Sequence, residues 1–292
     1  MTDIFIDKET WEPVISGLLE DENVRHNVRE AWSFDWQTHG ESAILNEETL
    51  LRHEKPVGHD VWSAGLAEFV KSVYVRGHRL VFIAHSGGTI AAMGTTKFLQ
   101  TLPYAGVILI EPPFFDREFF HTGNPEPRIK AFQNTIMTSR SSWMSSDAAH
   151  QWLCETRPWK NWDPRVLRLY VDYGLQLRKN ADGSDSVTTR CTKRHEAEPY
   201  TDYPAFFDAV EAFALVCKSI PTHVLYGEID DFLTRAVKES LIDPNKCRYA
   251  TSVTKIPKVG HMIVQEEPDV LAKTLANLLR SIYESSAISS RL

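Results

Sequence analysis

The sequence has few cysteines, no long apolar run and no excess of positive charge, and each shortage excludes a class of protein. Its 4 cysteines among 292 residues lie far apart without a C-x-x-C pair, so we expect neither a disulfide framework nor a zinc site. We expect reduced thiols, most of them buried. No apolar run approaches the about 20 residues that cross a bilayer, and a net charge of −7 argues against a nucleic-acid partner.

What is present indicates a folded globular protein. Hydrophobic residues make up 42% of the chain and charged residues 24%, and 292 residues can bury one large core. The start, Met1-Thr2-Asp3-Ile4-Phe5-Ile6-Asp7, is too short and too acidic for a signal peptide, so we expect an intracellular protein.

The stretch around Ser86 predicts a strand, a sharp turn and a helix. An apolar run stops at this serine, two glycines follow, and helix-favouring residues come next. Ala84 and Gly88 are small enough to flank a nucleophile elbow, in which the serine hydroxyl projects above the sheet. The N–H of Gly87 would then point toward the atom under attack and stabilise an oxyanion. The alternative is an ordinary strand-to-helix turn in which Ser86 only caps the helix.

Strands and helices alternate on both sides of a long middle segment. We predict helices at 10–20, 59–75, 88–100, 233–242 and 268–283, and strands at 29–35, 80–84, 106–110, 220–226 and 252–256. This alternation is typical of an α/β fold with a mostly parallel, doubly wound sheet.

Between residues 114 and 208 the alternation lapses. Helices are predicted there at 127–138, 147–155 and 163–179, with a loop at 180–186. We interpret the segment as a helical cap over the ligand-binding edge of the sheet, with tryptophans that mostly form its own core. The predicted core is therefore 1–113 and 209–284, and 285–292 is predicted to be a flexible tail.

The acid, the base and the serine of a hydrolytic triad should follow three separate strand ends. His261 lies after the last predicted strand and before the last helix, where a general base is expected. Two carboxylates are candidates to orient it: Asp230 after the penultimate strand, and Glu111 after the strand that follows the helix behind Ser86. Either carboxylate could instead cap a turn or a helix. The pattern favours Asp230 and leaves Glu111 open, and His85 is predicted to be a packing residue or pocket wall.

Together these motifs resemble the α/β-hydrolase superfamily, through Ala84-His85-Ser86-Gly87-Gly88, Ile110-Glu111-Pro112-Pro113, Gly227-Glu228-Ile229-Asp230-Asp231 and Val259-Gly260-His261. More narrowly, Trp162-Asp163-Pro164-Arg165-Val166-Leu167 and Tyr173-Gly174-Leu175 are similar to fungal peroxisomal hydrolases. That group includes a peroxisomal lipase, host-selective-toxin biosynthesis proteins and an acyl-CoA hydrolase of a polyketide–terpenoid pathway. The resemblance covers nearly the whole chain.

This resemblance implies an α/β-hydrolase fold and a serine enzyme that needs no cofactor. The implied substrate is a hydrophobic acyl ester or acyl-CoA thioester, in peroxisomal lipid or toxin metabolism. In the acyl-CoA hydrolase the triad acid follows the strand that ends here at Glu111, which brings the choice between Glu111 and Asp230 close to even.

One departure from the pattern concerns the oxyanion hole. The family usually has a small-residue loop after an early strand that supplies a second N–H. Residues 10–15 resemble the helix after that loop, yet only residues 1–9 precede them, so we expect the loop and at least two N-terminal strands to be missing. Losing one donor costs about 3 kcal/mol. Either catalysis is weakened, or residues 4–7 donate an amide in another way.

That departure favours a rival from another class, a non-hydrolytic binder or a cyclisation or isomerisation catalyst that uses the same pocket.

The last three residues of the sequence indicate a location in the cell. Ser290-Arg291-Leu292 differs from the Ser-Lys-Leu peroxisomal address only by arginine for lysine, so an import receptor is an expected partner. We expect a peroxisomal protein, or otherwise a cytoplasmic one.

Overall fold

The computed structural model describes residues 7–22, 24–53 and 55–289. The strands are β1 Leu80–His85, β2 Tyr104–Ile110, β3 Ser142–Trp143, β4 Leu175–Lys179, β5 Asp185–Thr189, β6 Thr222–Gly227 and β7 Ser252–Ile256. The first helices are α1 Glu12–Glu20, α2 Gly40–Leu45, α3 Glu47–Arg52, α4 His59–Lys71, α5 Gly87–Gly94, α6 Arg117–Gly123 and α7 Glu126–Thr138. The others are α8 Ser146–Glu155, α9 Pro164–Tyr173, α10 Lys193–Ala197, α11 Tyr203–Val216, α12 Arg235–Leu241, α13 Ile263–Glu266 and α14 Pro268–Ser289.

A parallel sheet forms the centre of the molecule. Its four described strands lie in the order β1-β2-β6-β7, and every neighbouring pair is parallel. Because parallel neighbours need a crossover connection, helices separate these strands along the chain. This confirms the predicted α/β fold with a mostly parallel sheet.

The side chains of β2 alternate between two hydrophobic cores, one on each face of the sheet. Leu109 packs with α5 and α11 on one face, and Ile108 packs with α1 and α14 on the other. Both side chains are fully buried, and each such burial stabilises the fold by about 1.5–3 kcal/mol. A strand covered on both faces must be apolar throughout, which explains why Val107-Ile108-Leu109-Ile110 was readily predicted.

The cap contains more than the predicted helices. It includes β3, β4 and β5, which form an antiparallel sheet in the order β3-β5-β4. The predicted helix over 163–179 is wrong in its second half, because α9 ends at Tyr173 and Leu175–Lys179 is a strand. Of the predicted loop at 180–186, residues 180–184 form the turn of a hairpin, closed by the N–H of Asn180 donating to the carbonyl of Ser184 at 2.8 Å, and residues 185–186 begin β5.

The tryptophans of the cap pack mainly against one another. The rings of Trp143 and Trp152, and those of Trp152 and Trp159, are 5.7 Å apart, and those of Trp159 and Trp162 are 6.5 Å apart. Trp143 and Trp162 are buried in the core that α8, α9 and the small sheet share. These rings therefore stabilise the cap itself.

The predicted strand at 29–35 is wrong. Of these residues only Phe34 makes an isolated bridge, and the segment otherwise runs beside β1 without joining the described sheet. A groove of about 400 Å³ separates the segment from β1, and its walls include Trp32, Phe82 and Tyr283. The alternating pattern of the segment reflects one face packed on α4 through ring contacts such as Phe34 with Phe69, at 4.7 Å.

Two further expectations concern cysteines and membranes. The expectation that most thiols are buried is wrong, because Cys154 and Cys247 are exposed and the other two are partly exposed. Among the described residues no helix is both long and apolar enough to cross a membrane.

Helix α11 is continuous through the predicted cap boundary at residue 208. The predicted import signal at 290–292 lies outside the described residues, as do residues 1–6.

Candidate active site

Ser86 lies in a strained turn at the carboxyl end of β1. Its φ of 50° and ψ of −129° are unfavourable for a residue with a side chain, and α5 begins at the next residue. The N–H of Ser86 donates to the carbonyl of Ile110 at 2.9 Å, which continues the ladder between β1 and β2. This is the conformation that the elbow pattern predicted, and a backbone of this kind persists only where its surroundings hold it.

His261 contacts the Ser86 hydroxyl directly. Its Nε2 lies 2.8 Å from Oγ, although the two residues are 175 positions apart in the chain. Both side chains are buried, with residue exposures of 2%. Since the other ring nitrogen faces a carboxylate, Nδ1 carries the proton and Nε2 accepts from the serine O–H. The imidazole is therefore placed to take the serine proton.

Glu111 supplies the carboxylate behind the imidazole. His261 Nδ1 donates to its Oε2 at 3.1 Å, and the N–H of Gly227 donates to its Oε1 at 2.6 Å. Glu111 has a φ of 49° and is fully buried. Burial alone would raise its pKa, but the hydrogen bond and charge of His261, the charge of Lys238 and the Gly227 N–H together hold the pKa below its usual value. The group is a carboxylate at neutral pH.

Asp230 lies elsewhere. The expectation that it orients the imidazole is not met, because its carboxylate pairs with Lys238 Nζ at 3.2 Å, and its side chain is 39% exposed. The next residue, Asp231, instead accepts the backbone N–H of His261 at 2.9 Å. The loop after β6 thus fixes the main chain of the histidine, while the end of β2 fixes its ring.

Of two supporting residues, Lys238 escaped the sequence reasoning, and His85 was predicted only to be a packing residue or pocket wall. The side chain of Lys238 on α12 reaches into the site and ends 3.2 Å from Glu111 Oε1. His85 Nε2 lies 2.7 Å from the carbonyl oxygen of His261, and since a carbonyl only accepts, this nitrogen donates. A lysine on a short amphipathic helix gives no sequence signal of burial. His85, adjacent to Ser86 on a buried strand, offered a weak one.

Aromatic side chains connect the cap to the imidazole. The ring of Phe232 lies 4.3 Å from that of His261, and Phe132 on α7 of the cap lies 5.0 Å from Phe232. Arg128, also on α7, donates to the carbonyl of Asp231 at 2.7 Å. The cap therefore contacts the imidazole through the ring of Phe232, and it is hydrogen-bonded to the loop that holds His261.

Gly87 is placed as the oxyanion prediction requires. It is the first residue of α5, so its N–H has no acceptor within the helix and lies beside the positive end of the helix dipole. Its role as a donor stays a prediction. The predicted alternative donor at 4–7 falls mostly outside the described residues, and the expectation that at least two N-terminal strands are missing stays a prediction.

A strained serine before a helix and a histidine after the last strand, meeting at the carboxyl edge of a parallel sheet, define the α/β-hydrolase class. The sequence model of the Alpha/beta hydrolase family matches residues 5–274, so the chain belongs to this family. Among curated proteins, no match in sequence was found.

Solved structures with the same fold include several hydrolases. Peroxisomal alpha-beta-hydrolase Lpx1 from Saccharomyces cerevisiae has a TM-score of 0.72 and 15% identity, over 98% of this chain and 76% of that one. E-2-(Acetamidomethylene)succinate hydrolase has a TM-score of 0.67 and 16% identity, over 95% and 89%. The thioesterase domain from the curacin biosynthetic pathway has a TM-score of 0.61 and 12% identity, over 94% and 89%. At these identities the likeness establishes the fold.

Proposed function

We propose that this protein is a serine hydrolase that cleaves a hydrophobic acyl ester or acyl-CoA thioester. The observation that carries the proposal is the continuous hydrogen-bonded chain from Ser86 Oγ through the His261 ring to Glu111, with contacts of 2.8 and 3.1 Å. A serine hydroxyl is a weak nucleophile unless a base removes its proton and an acid stabilises the resulting imidazolium. All three groups are buried, which strengthens each of these interactions.

The proposed reaction uses each group in turn. Ser86 Oγ attacks the acyl carbon while His261 Nε2 takes its proton, and Glu111 stabilises the imidazolium. The Gly87 N–H donates to the developing oxyanion. The tetrahedral intermediate collapses, His261 returns the proton to the leaving alcohol or thiol, and the acyl group stays on Ser86. A water molecule, deprotonated by His261, then cleaves the acyl-enzyme and restores the serine.

The substrate proposal has two supports. The ring of Phe232 lies beside the imidazole and that of Phe132 beside Phe232, and these apolar rings suit an acyl chain better than a charged group. Proteins of similar fold include the peroxisomal alpha-beta-hydrolase Lpx1 and the thioesterase domain from the curacin biosynthetic pathway. With the sequence motifs, this supports a role in fungal lipid or secondary (toxin) metabolism.

Hydrolysis assays test the reaction. Purified protein is given p-nitrophenyl esters of increasing acyl length and, separately, acyl-CoA thioesters with a thiol reagent. We expect turnover of at least one series, and a loss of at least about 10³-fold in Ser86→Ala. Ser219→Ala is the matched control, because Ser219 is exposed in the turn after α11. If a folded protein binds acyl compounds without cleaving any of them, the non-hydrolytic rival is favoured.

We also propose import into peroxisomes through Ser290-Arg291-Leu292 and its receptor. An N-terminal fluorescent fusion should appear in peroxisomes of fungal cells and become diffuse when residues 290–292 are removed. An unchanged distribution after that deletion would contradict the proposal.

A further inference from the structure

A buried lysine beside the triad has no part in the reaction just described. Lys238 lies on α12, and the residue is only 5% exposed. A lysine is rarely buried unless it is paired, because removing an ammonium group from water is costly. Its position therefore needs compensating partners.

The Lys238 ammonium has a full set of acceptors. It donates to the carbonyl of Gly227 at 2.9 Å and to that of Ile229 at 3.3 Å. It also lies 3.2 Å from the carboxylates of both Glu111 and Asp230. The ring of Tyr226 lies 5.5 Å from the same nitrogen. The carboxyl end of β6 is thus folded around this one positive charge.

The two carboxylates differ in their surroundings. Glu111 is fully buried and also holds the His261 ring, whereas the side chain of Asp230 is 39% exposed, pairs with Lys238 and acts on the charge of Arg235. A partly exposed anion offsets a buried cation incompletely, because water screens it. Lys238 therefore keeps a net positive influence on the Glu111–His261 pair.

We propose that Lys238 is a positioning residue for the triad: it holds the Glu111 carboxylate toward His261 and, with Asp230 as a counterweight, sets the pH at which the histidine can act as a base. This inference rests on the proposed function. It also gives a role to Asp230, which the sequence pattern favoured as the triad acid: Asp230 pairs with Lys238, and Lys238 pairs with Glu111.

The sign of the effect follows from electrostatics. A positive charge beside the coupled Glu111–His261 pair lowers the affinity of the pair for a proton. Removing Lys238 raises that affinity, so the histidine becomes neutral only at higher pH. Removing the charge of Asp230 leaves Lys238 less neutralised, so the histidine becomes neutral at lower pH. Three other titratable groups of the described residues face the pair. Asp231 acts on the backbone of His261, and Tyr226 carries no charge near neutral pH. The His85 ring lies 5.2 Å from that of His261 and is the same in both variants, so none of the three reverses this order.

The test measures the rate of fluorophosphonate labelling of the full chain between pH 5 and pH 9. We expect the labelling rate to rise with pH as His261 loses its proton. In Lys238→Met this rise should occur about one pH unit higher than in the wild type, so that the rate at a given pH within the rise falls about tenfold. In Asp230→Asn we expect the rise to move down by a few tenths of a unit, because that charge is screened. Glu239→Gln is the matched control, because Glu239 is exposed on the same helix and pairs with Arg235.

A second readout keeps the outcomes separate. Histidine ring NMR signals, with that of His261 assigned from a His261→Gln variant, report the titration without any reaction. Opposite shifts in the two variants support the proposal. Shifts of the His261 titration in the same direction in both variants overturn it. An unshifted His261 titration in Asp230→Asn also overturns it, and this result does not depend on whether Lys238→Met folds. A further outcome is that the fluorophosphonate fails to label the wild type while the His261 titration still shifts in opposite directions in the two variants. In that case the hydrolase assignment fails and the electrostatic inference stands.

Discussion

Replacing Glu111 by glutamine tests the role of the triad acid most severely. Three donors face this side chain: the His261 Nδ1–H, the Gly227 N–H and the Lys238 ammonium. Glutamine has one carbonyl oxygen and one NH₂ group. Because two donors surround the Oε1 position, the glutamine oxygen should stay there and the NH₂ group should face His261. The histidine must then carry its proton on Nε2, the nitrogen that has to accept from Ser86.

The magnitude follows from the distance of 3.1 Å between Nδ1 and Oε2. At an effective dielectric constant of about 20, two unit charges at that separation attract by about 5 kcal/mol, which corresponds to about 10⁴-fold in rate. Lys238 offsets part of this attraction. We therefore expect Glu111→Gln to lower the rate of fluorophosphonate labelling and of ester hydrolysis by about 10³–10⁴-fold.

Two comparisons make this experiment decisive. Glu228→Gln changes the same chemical group at an exposed carboxylate that accepts the N–H of Lys258, and should leave the rate unchanged. Asp230→Asn should lower the rate at its optimum pH by less than about threefold. A folded Glu111→Gln protein within about tenfold of wild type, or a greater loss in Asp230→Asn, would refute the assignment of Glu111.

Further predictions concern stability and the shape of the site. Leu109→Ala empties a fully buried position on β2 and should lower the free energy of unfolding by about 2–5 kcal/mol, whereas Leu215→Ala, at a position 63% exposed, should change it by less than about 0.5 kcal/mol; urea unfolding compares them. The pKa of Asp116 is lowered from 3.8 to about 2: burial opposes this shift, but hydrogen bonds from Lys246, the Phe119 N–H and Arg248 outweigh it. The stability from Asp116 should therefore be present above pH 3.8 and be lost as the pH falls toward about 2, and Asp116→Asn should remove that part of the acid transition, followed by circular dichroism. A Cβ at Gly227 would lie 2.5 Å from the carbonyl oxygen of Val259, so Gly227→Ala should displace the loop before His261 and slow labelling at least about tenfold, while an unchanged labelling rate would show that the loop adapts.

Much of the core was predictable because each element carries its own signal. Residues 107–110 of strand β2 are all apolar since both faces are covered, and the small residues around Ser86 are those that a strained elbow requires. The order of serine, acid and histidine along the chain placed them on strand ends that a parallel sheet brings together. These features depend on local pattern and on topology, and both can be read from the sequence.

The rest depends on contacts that local pattern does not encode. Sequence pattern could not choose between Glu111 and Asp230, because the choice depends on which carboxylate reaches the His261 ring: Glu111 Oε2 lies 3.1 Å from Nδ1, whereas Asp230 pairs with Lys238. The cap hairpin was missed although Asn180-Ala181-Asp182-Gly183-Ser184 is rich in turn residues, because the helical pattern of α9 was extended through Gly174. Residues 29–35 have the composition of a strand, and whether such a segment pairs depends on its neighbours.

The most direct test of the central claim is to locate the covalent adduct that a fluorophosphonate forms with the protein. The geometry predicts one adduct per chain, carried by the peptide that contains Ser86, formed slowly when His261 is replaced by glutamine. An adduct on another residue, or a folded protein that stays unmodified after prolonged exposure, would contradict the claim that Ser86 is an activated nucleophile.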